Sequence, residues 1–271
     1  MMKRAERLVA ITQVLMAKPN VLLPLSMLAE RFGAAKSTIS EDLLALREGF
    51  QLSKQGHIET TPGALGGVRY IPDLDEAEAA AFLTELAGRL SRKERILAGG
   101  YLYMTDILFD PAVLRPLGLI FAKLFRPQRP DAVVTIETKG IPLALVTAEA
   151  LGVPMVIIRH GNKVTEGSSV NINFVSGSSQ RIQTMSLSRR AMEPGRRVLI
   201  LDDFMKAGGT ASGMIQLMKE FEAEVVGVGM LVESALGHIP KLVEEYQALL
   251  KLTELDVSGR VVVTPAPTAL R

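Results

Sequence analysis

The sequence predicts an α/β chain of two domains, a winged helix-turn-helix domain followed by a larger domain built on a central, mostly parallel sheet. Three observations carry that prediction. Residues 3–47 offer three helical stretches with a glycine turn between the second and third, and a glycine-rich hairpin follows them. From residue 131 the order becomes strand, glycine loop, helix, strand, which is the βαβ unit of a parallel sheet. Residues 198–210 then give an apolar strand, two adjacent carboxylates and a turn of small residues that opens a helix.

A length of 271 residues accommodates a small domain beside a medium one. There is no cysteine, which excludes disulfides and thiolate metal sites. The three histidines, His57, His160 and His238, fall in separate contexts without metal-ligand spacing, so neither a zinc site nor a Ser-His-Asp triad is expected. No segment has a signal-peptide layout or membrane-spanning length, and a cytoplasmic location is the expectation. A net charge of +2 does not by itself indicate a nucleic-acid partner.

Leu8, Ile11, Val14 and Leu15 recur at helical spacing, and Lys18-Pro19-Asn20 breaks that first helix. Residues 26–32 form the second helix with Ser26 as its cap, Gly33 supplies the turn, and residues 34–47 form the third. The third helix sets an apolar stripe of Ile39, Leu43 and Leu46 against a polar front of Lys36, Ser37, Thr38 and Ser40. Side chains of that kind reach phosphates and base edges in a major groove. Residues 50–54 and 57–61 alternate around Gln55-Gly56, and Gly66-Gly67 precedes a further strand at 68–71, giving a wing in which Lys54 is the expected DNA contact. Residues 1–72 carry nine Lys and Arg against six Asp and Glu, a modest electrostatic footprint for DNA.

Pro72 and the acidic run Asp73-Leu74-Asp75-Glu76 mark the boundary, dividing the chain into domains 1–73 and 74–271. An Ala-rich helix runs to about Leu90, and residues 92–126 read as helical twice more around Asp110-Pro111. A strand at 132–136, the loop Glu137-Thr138-Lys139-Gly140, a helix at 141–151 and a strand at 155–158 follow. Residues 159–190 are polar, with strands at 170–175 and 181–188 and basic residues Arg159, Lys163, Arg181, Arg189 and Arg190. Beyond the 198–210 run come a strand at 224–231, a helical segment near 239–246, and strands at 247–252 and 259–264.

The chemistry concentrates in Asp202, Asp203, Phe204, Met205, Lys206, Ala207, Gly208, Gly209 and Thr210. Carboxylates at the carboxyl end of a sheet strand accept hydrogen bonds from sugar hydroxyls. A turn of small residues at a helix N-terminus presents successive N–H groups to an anion. One turn apart, the two describe a sugar-phosphate site.

This run resembles the phosphoribosyl-pyrophosphate (PRPP) motif of type I phosphoribosyltransferases. The resemblance implies that Asp202 and Asp203 bind the ribose 2′ and 3′ hydroxyls and that Gly208, Gly209 and Thr210 wrap the 5′-phosphate. Glu137-Thr138-Lys139-Gly140 resembles the pyrophosphate loop of the same family, which gives Thr138, Lys139 and Gly140 a diphosphate role. Lys206-Ala207 departs from the Ala-Thr common in the enzymes. Phe204 and Tyr101 are the aromatic candidates for stacking on a base.

A winged helix joined to such a domain resembles the purine operon repressors of Gram-positive bacteria. That likeness implies a homodimer that binds double-stranded operator DNA. It implies PRPP as inducer, with Mg²⁺, and ppGpp as a competing corepressor. The rival expectation is an active purine or pyrimidine phosphoribosyltransferase with an appended regulatory domain. Its cationic ribosyl centre needs positioning and charge stabilisation rather than a nucleophile.

Overall fold

The computed structural model describes residues 2–63, 66–98, 101–161, 167–175, 182–237, 240–255 and 260–267. The chain divides into two compact units, Met1–Asp75 with Glu149–Gly152, and Glu76–Ala148 with Val153–Arg271.

In the first unit, helix α1 (Arg4–Met16) is followed by a short strand β1 (Leu23–Pro24) and helix α2 (Leu25–Phe32). Gly33, at φ +58°, ends α2 in the left-handed conformation that glycine adopts without a steric penalty. Helix α3 (Lys36–Ser53) and the hairpin β2 (His57–Thr61) and β3 (Gly67–Ile71) complete the unit. The strands pair antiparallel in the order β1-β3-β2. Ile11, Leu15, Leu28, Ile39, Leu43, Phe50, Ile58 and Val68 form the core.

Two local expectations are corrected. Ser26 lies inside α2, whose N-cap is Pro24. The strand expected at 50–54 is the last turn of α3. Phe50 continues the helical stripe of Ile39 and Leu43 into the core and packs its ring 4.8 Å from that of Tyr70. Helical burial therefore outweighs the short alternation, and the wing is the β2–β3 hairpin alone.

The second unit begins with α4 (Glu76–Leu90), a two-stranded hairpin β4 (Ile96–Leu97) and β5 (Tyr101–Leu102), then α5 (Thr105–Leu108) and α6 (Pro111–Phe125). Asp110 caps α6 by accepting from the Ala112 N–H at 2.9 Å. The first helix expected within 92–126 is instead a short 3-10 turn at Lys93–Arg95, the small β4–β5 hairpin and the one-turn α5, with a bidentate Arg95–Asp106 pair at 2.8 and 2.9 Å fastening them.

There follow β6 (Ala132–Ile136), α7 (Gly140–Leu151), β7 (Met155–His160), β8 (Ser169–Val175), β9 (Ile182–Ser188), β10 (Arg197–Met205), α8 (Gly209–Glu220), β11 (Glu224–Ser234), β12 (Gln247–Leu255) and β13 (Val261–Pro265). Residues 240–246, expected to be helical, form bends without helix. Lys163, Arg181 and His238 lie outside the described residues.

The eight strands stand in the order β13-β12-β11-β10-β6-β7-β9-β8. The four central pairings, from β12 across to β7, are parallel, and the outer three are antiparallel. On one face, Val134, Ile136 and Ile200 pack with Met214, Leu217 and Met218 of α8. On the other, the stacked rings of Phe121 and Phe125 lie against β11. A Cβ at Gly229 would sit 2.9 Å from Phe121, and one at Gly227 would sit 2.6 Å from Phe125, which explains the glycine alternation of that strand.

Connections run outward from the centre in both directions. From β6 the chain crosses through α7 to β7, and from β10 through α8 to β11. The β6–β10 boundary is therefore the topological switch point, where open α/β sheets bind ligands at their carboxyl ends.

Candidate functional site

Strand β10 pairs with β6 only over Val198–Ile200, yet it stays paired with β11 through Met205. Beyond Ile200 its β6-facing side is left open, and the loop after β6 borders the gap. The result is a cavity of about 430 Å³.

Asp202, Asp203, Phe204, Met205, Lys206, Ala207, Gly208, Gly209 and Thr210 line it from one side, and Thr138 and Lys139 from the other. Two loops read separately in the sequence thus share one cleft. Asp202 is only 6 % exposed, and its Oδ1 accepts from the Asp203 N–H at 2.9 Å. Burial, reinforced by the neighbouring Asp203 carboxylate, pushes the Asp202 carboxyl well above the usual carboxylate range. Gly208, at φ +83°, is the N-cap of α8 and lacks a side-chain cap, so the first N–H groups of this 12-residue helix face the cleft with the positive end of its dipole.

Gly140 does not line the cavity. It opens α7 directly behind the diacid, where a Cβ would lie 2.8 Å from Asp202 Oδ1. Beside it the Thr135 hydroxyl is buried without a hydrogen-bond partner. The Glu137–Thr138 peptide is cis. Glu137 anchors the loop by accepting from the His160 N–H at 2.6 Å and from Arg159 at 3.2 Å. Burial opposes its ionisation, but these two donors outweigh it and hold the carboxyl below its ordinary value.

Tyr101 stands apart from the cavity, on β5 opposite Leu97, with 58 % of its surface exposed. His160, which the sequence offered only as a histidine without metal-ligand spacing, lines the cavity, as do Gln183 and Met230, which the sequence did not single out. His160 ends a parallel strand, which was a usable signal, and Met230 is the register partner of Asp202 on β11. For Gln183, in the polar segment before β10, the sequence offers none. No cluster of three or more His, Asp or Glu suited to a metal occurs among the described residues.

In the first unit, Lys36, Ser37 and Ser40 are exposed and Thr38 half-buried along the first turns of α3. Ser40 donates its hydroxyl to the Lys36 carbonyl at 3.0 Å. Arg47 joins α3 to the wing through Thr60 at 3.1 Å. Lys54 caps the far end of this 18-residue helix, about 27 Å along the axis from Lys36. It lies 3.8 Å from Asp75, so it is not part of the same polar front. Asp42, 1 % exposed on the inner side of α3, is held by Arg7 at 2.5 Å and Arg4 at 3.2 Å, which fastens α1 to the helix.

A winged helix joined in one chain to a phosphoribosyltransferase-like sheet, with a diacid and two loops at the switch point of that sheet, defines a class of transcription regulators. Residues 3–72 match the family described as "Bacterial purine repressor, N-terminal", and residues 104–260 match the phosphoribosyl transferase domain. The chain is 51 % identical over 258 residues to the purine biosynthesis transcriptional repressor PurR of Bacillus subtilis, covering 95 % of this chain and 90 % of that one. It is 43 % identical over 259 residues to the purine biosynthesis transcriptional activator PurR of Lactococcus lactis, covering 96 % and 95 %. Adenine phosphoribosyltransferase from Thermoanaerobacter pseudethanolicus shares the fold at a TM-score of 0.53 and 20 % identity, over 62 % of this chain and 98 % of that one. The chain belongs to the PurR family of purine biosynthesis transcriptional regulators.

Proposed function

We propose that this chain represses purine biosynthesis genes by binding operator DNA, and that PRPP entering the cleft acts as its inducer. The observation that carries this reading is the convergence of Asp202, Asp203, Thr138, Lys139 and the Gly208–Thr210 turn on one cavity. PRPP matches that layout group by group. Its ribose hydroxyls suit the diacid, its 5′-phosphate suits the N-terminus of α8, and its diphosphate suits the Thr138-Lys139 loop. A Mg²⁺ ion would arrive on the diphosphate, since it favours phosphate and water oxygens over an all-protein cage.

Induction requires that PRPP bind the DNA-poor conformation more tightly than the DNA-bound one. The alarmone ppGpp, with phosphates on a ribose, competes for the same cleft and favours the DNA-bound conformation. Two copies of the chain would present two α3 helices to a two-part operator, about 34 Å apart along the duplex, which favours a homodimer. A DNA partner supports a cytoplasmic location. Repression rather than activation is supported by the higher identity to the Bacillus repressor.

The second reading, a phosphoribosyltransferase, is favoured by one observation: the cleft retains both loops and the diacid. Lys206-Ala207 at the phosphate loop and the winged helix argue for a sensor instead. Fluorescence anisotropy on a labelled purine-gene promoter decides between them, paired with incubation of the protein with PRPP, Mg²⁺ and each free base. Binding that PRPP reverses, with no nucleotide formed, is expected. Steady turnover without promoter binding would establish the enzyme.

A further inference from the structure

The phosphate loop is held from behind by a segment 35 residues further along the chain. The Lys206 carbonyl accepts from Lys241 Nζ, which also donates to the Ser234 carbonyl at 2.6 Å. The next carbonyl, that of Ala207, accepts from the Leu242 N–H at 2.9 Å. Val243 is buried in the same core cluster as Met205 and Met230, which seats the segment.

We propose that Lys241 is a positioning residue for the phosphate site: it holds the Lys206 carbonyl and, tied also to the Ser234 carbonyl, sets the segment whose Leu242 N–H holds the Ala207 carbonyl. Among the described residues the only cis peptide is Glu137–Thr138, so the 206–207 and 207–208 peptides are trans. In a trans peptide the carbonyl and the following N–H point in opposite directions. Pinning the Lys206 and Ala207 carbonyls away from the cavity therefore turns the Ala207 and Gly208 N–H groups into it, where both residues lie on its wall. An unanchored loop of small residues would have to find that orientation when a ligand binds, at an entropic cost. The ammonium adds its charge behind the same N–H groups. Glu233, the carboxylate facing it, is engaged by the Tyr246 hydroxyl at 2.5 Å and by Lys251 at 3.7 Å, and Lys241 forms no ion pair among the described residues. Burial lowers the Lys241 pKa, consistent with an ammonium partly withdrawn from water.

This inference rests on the cleft accepting a ribose phosphate, and the test separates the two. Calorimetric titrations of wild type, Lys241→Met and Lys241→Arg use ribose 5-phosphate, PRPP and inorganic pyrophosphate, with amide hydrogen exchange read at Leu242. Lys241→Met is expected to weaken ribose 5-phosphate and PRPP by about tenfold, the loss of one charged hydrogen bond. Pyrophosphate affinity should stay unchanged, because the other loop holds it. The Leu242 amide should exchange faster, and Lys241→Arg should recover most of the loss. Wild-type affinity in Lys241→Met, or an equal loss for pyrophosphate, overturns the proposal. If wild type binds neither ribose 5-phosphate nor PRPP, the ribose-phosphate reading falls, and the Leu242 amide alone decides the clamp. Faster exchange in Lys241→Met upholds it, and unchanged exchange overturns it.

Discussion

Gly140 and Asp202 touch across the switch point of the sheet, with the Gly140 Cα so close that a methyl group there would lie 2.8 Å from Asp202 Oδ1. The contact joins the loop after β6 to the diacid on β10, so the two halves of the cleft have little freedom to shift independently. Gly140→Ala would also meet Thr135 Oγ1 at 2.4 Å, so it must displace the loop, Thr135 or the diacid. Overpacking of this kind costs about 1–3 kcal/mol. We expect a lower melting temperature together with a loss of PRPP affinity. A variant with wild-type stability and binding would mean that the loop and the diacid move apart freely.

Asp202 itself is expected to limit stability. Its folded-state pKa lies well above the value of an unfolded aspartate. As pH rises past about 4 the unfolded chain gives up that proton while the folded chain retains it, so stability is lost up to the raised folded pKa. Asp202→Asn stays neutral and keeps an oxygen for the Asp203 N–H. It should be more stable than wild type near neutrality, with the difference closing below about pH 4. Urea denaturation across that range tests the sign, and an asparagine variant less stable at pH 7 would refute it.

In the first unit, the Arg7–Asp42 pair predicts that the attachment of α1 to α3 depends on a buried carboxylate. Asp42→Asn keeps the shape and removes the charge. The α1 amides should exchange about tenfold faster, the scale of one charged hydrogen bond, while those of α8 remain as in wild type. Equal protection of α1 in both proteins would show that packing of Ile11 and Leu15 alone holds the helix.

Lys36, exposed in the first turn of α3, is expected to meet a DNA phosphate. Lys36→Ala should weaken binding to all sequences similarly and reduce the slope of log affinity against log salt by about one. An unchanged slope would remove Lys36 from the interface.

The parts of this molecule legible in its sequence are those whose cause is local. The diacid, the Gly208-Gly209 turn and α8 are adjacent in the chain, so types, order and periodicity disclose them together. The Glu137–Gly140 loop follows a strand of five buried residues for the same reason. The extension of β10 through Asp203 to Met205 was not legible, because only pairing with β11 keeps two carboxylates in a strand. Residues 50–54 alternate like a strand, yet 50–53 are the last turn of α3 and Lys54 its cap, with Phe50 packed on Tyr70 from the helix. Residues 240–246 are apolar and acidic in a helical rhythm, yet Lys241 and Leu242 spend their donors on the Lys206 and Ala207 carbonyls. Contacts of that range leave no pattern in a single chain.

The most direct test of the account compares release of operator DNA by PRPP in wild type and Asp203→Ala, followed by anisotropy on a purine-gene promoter. Both proteins should bind the promoter with similar affinity. PRPP should release wild type and leave Asp203→Ala bound. Release of both proteins by the same PRPP concentration would place the effector site elsewhere and contradict the account.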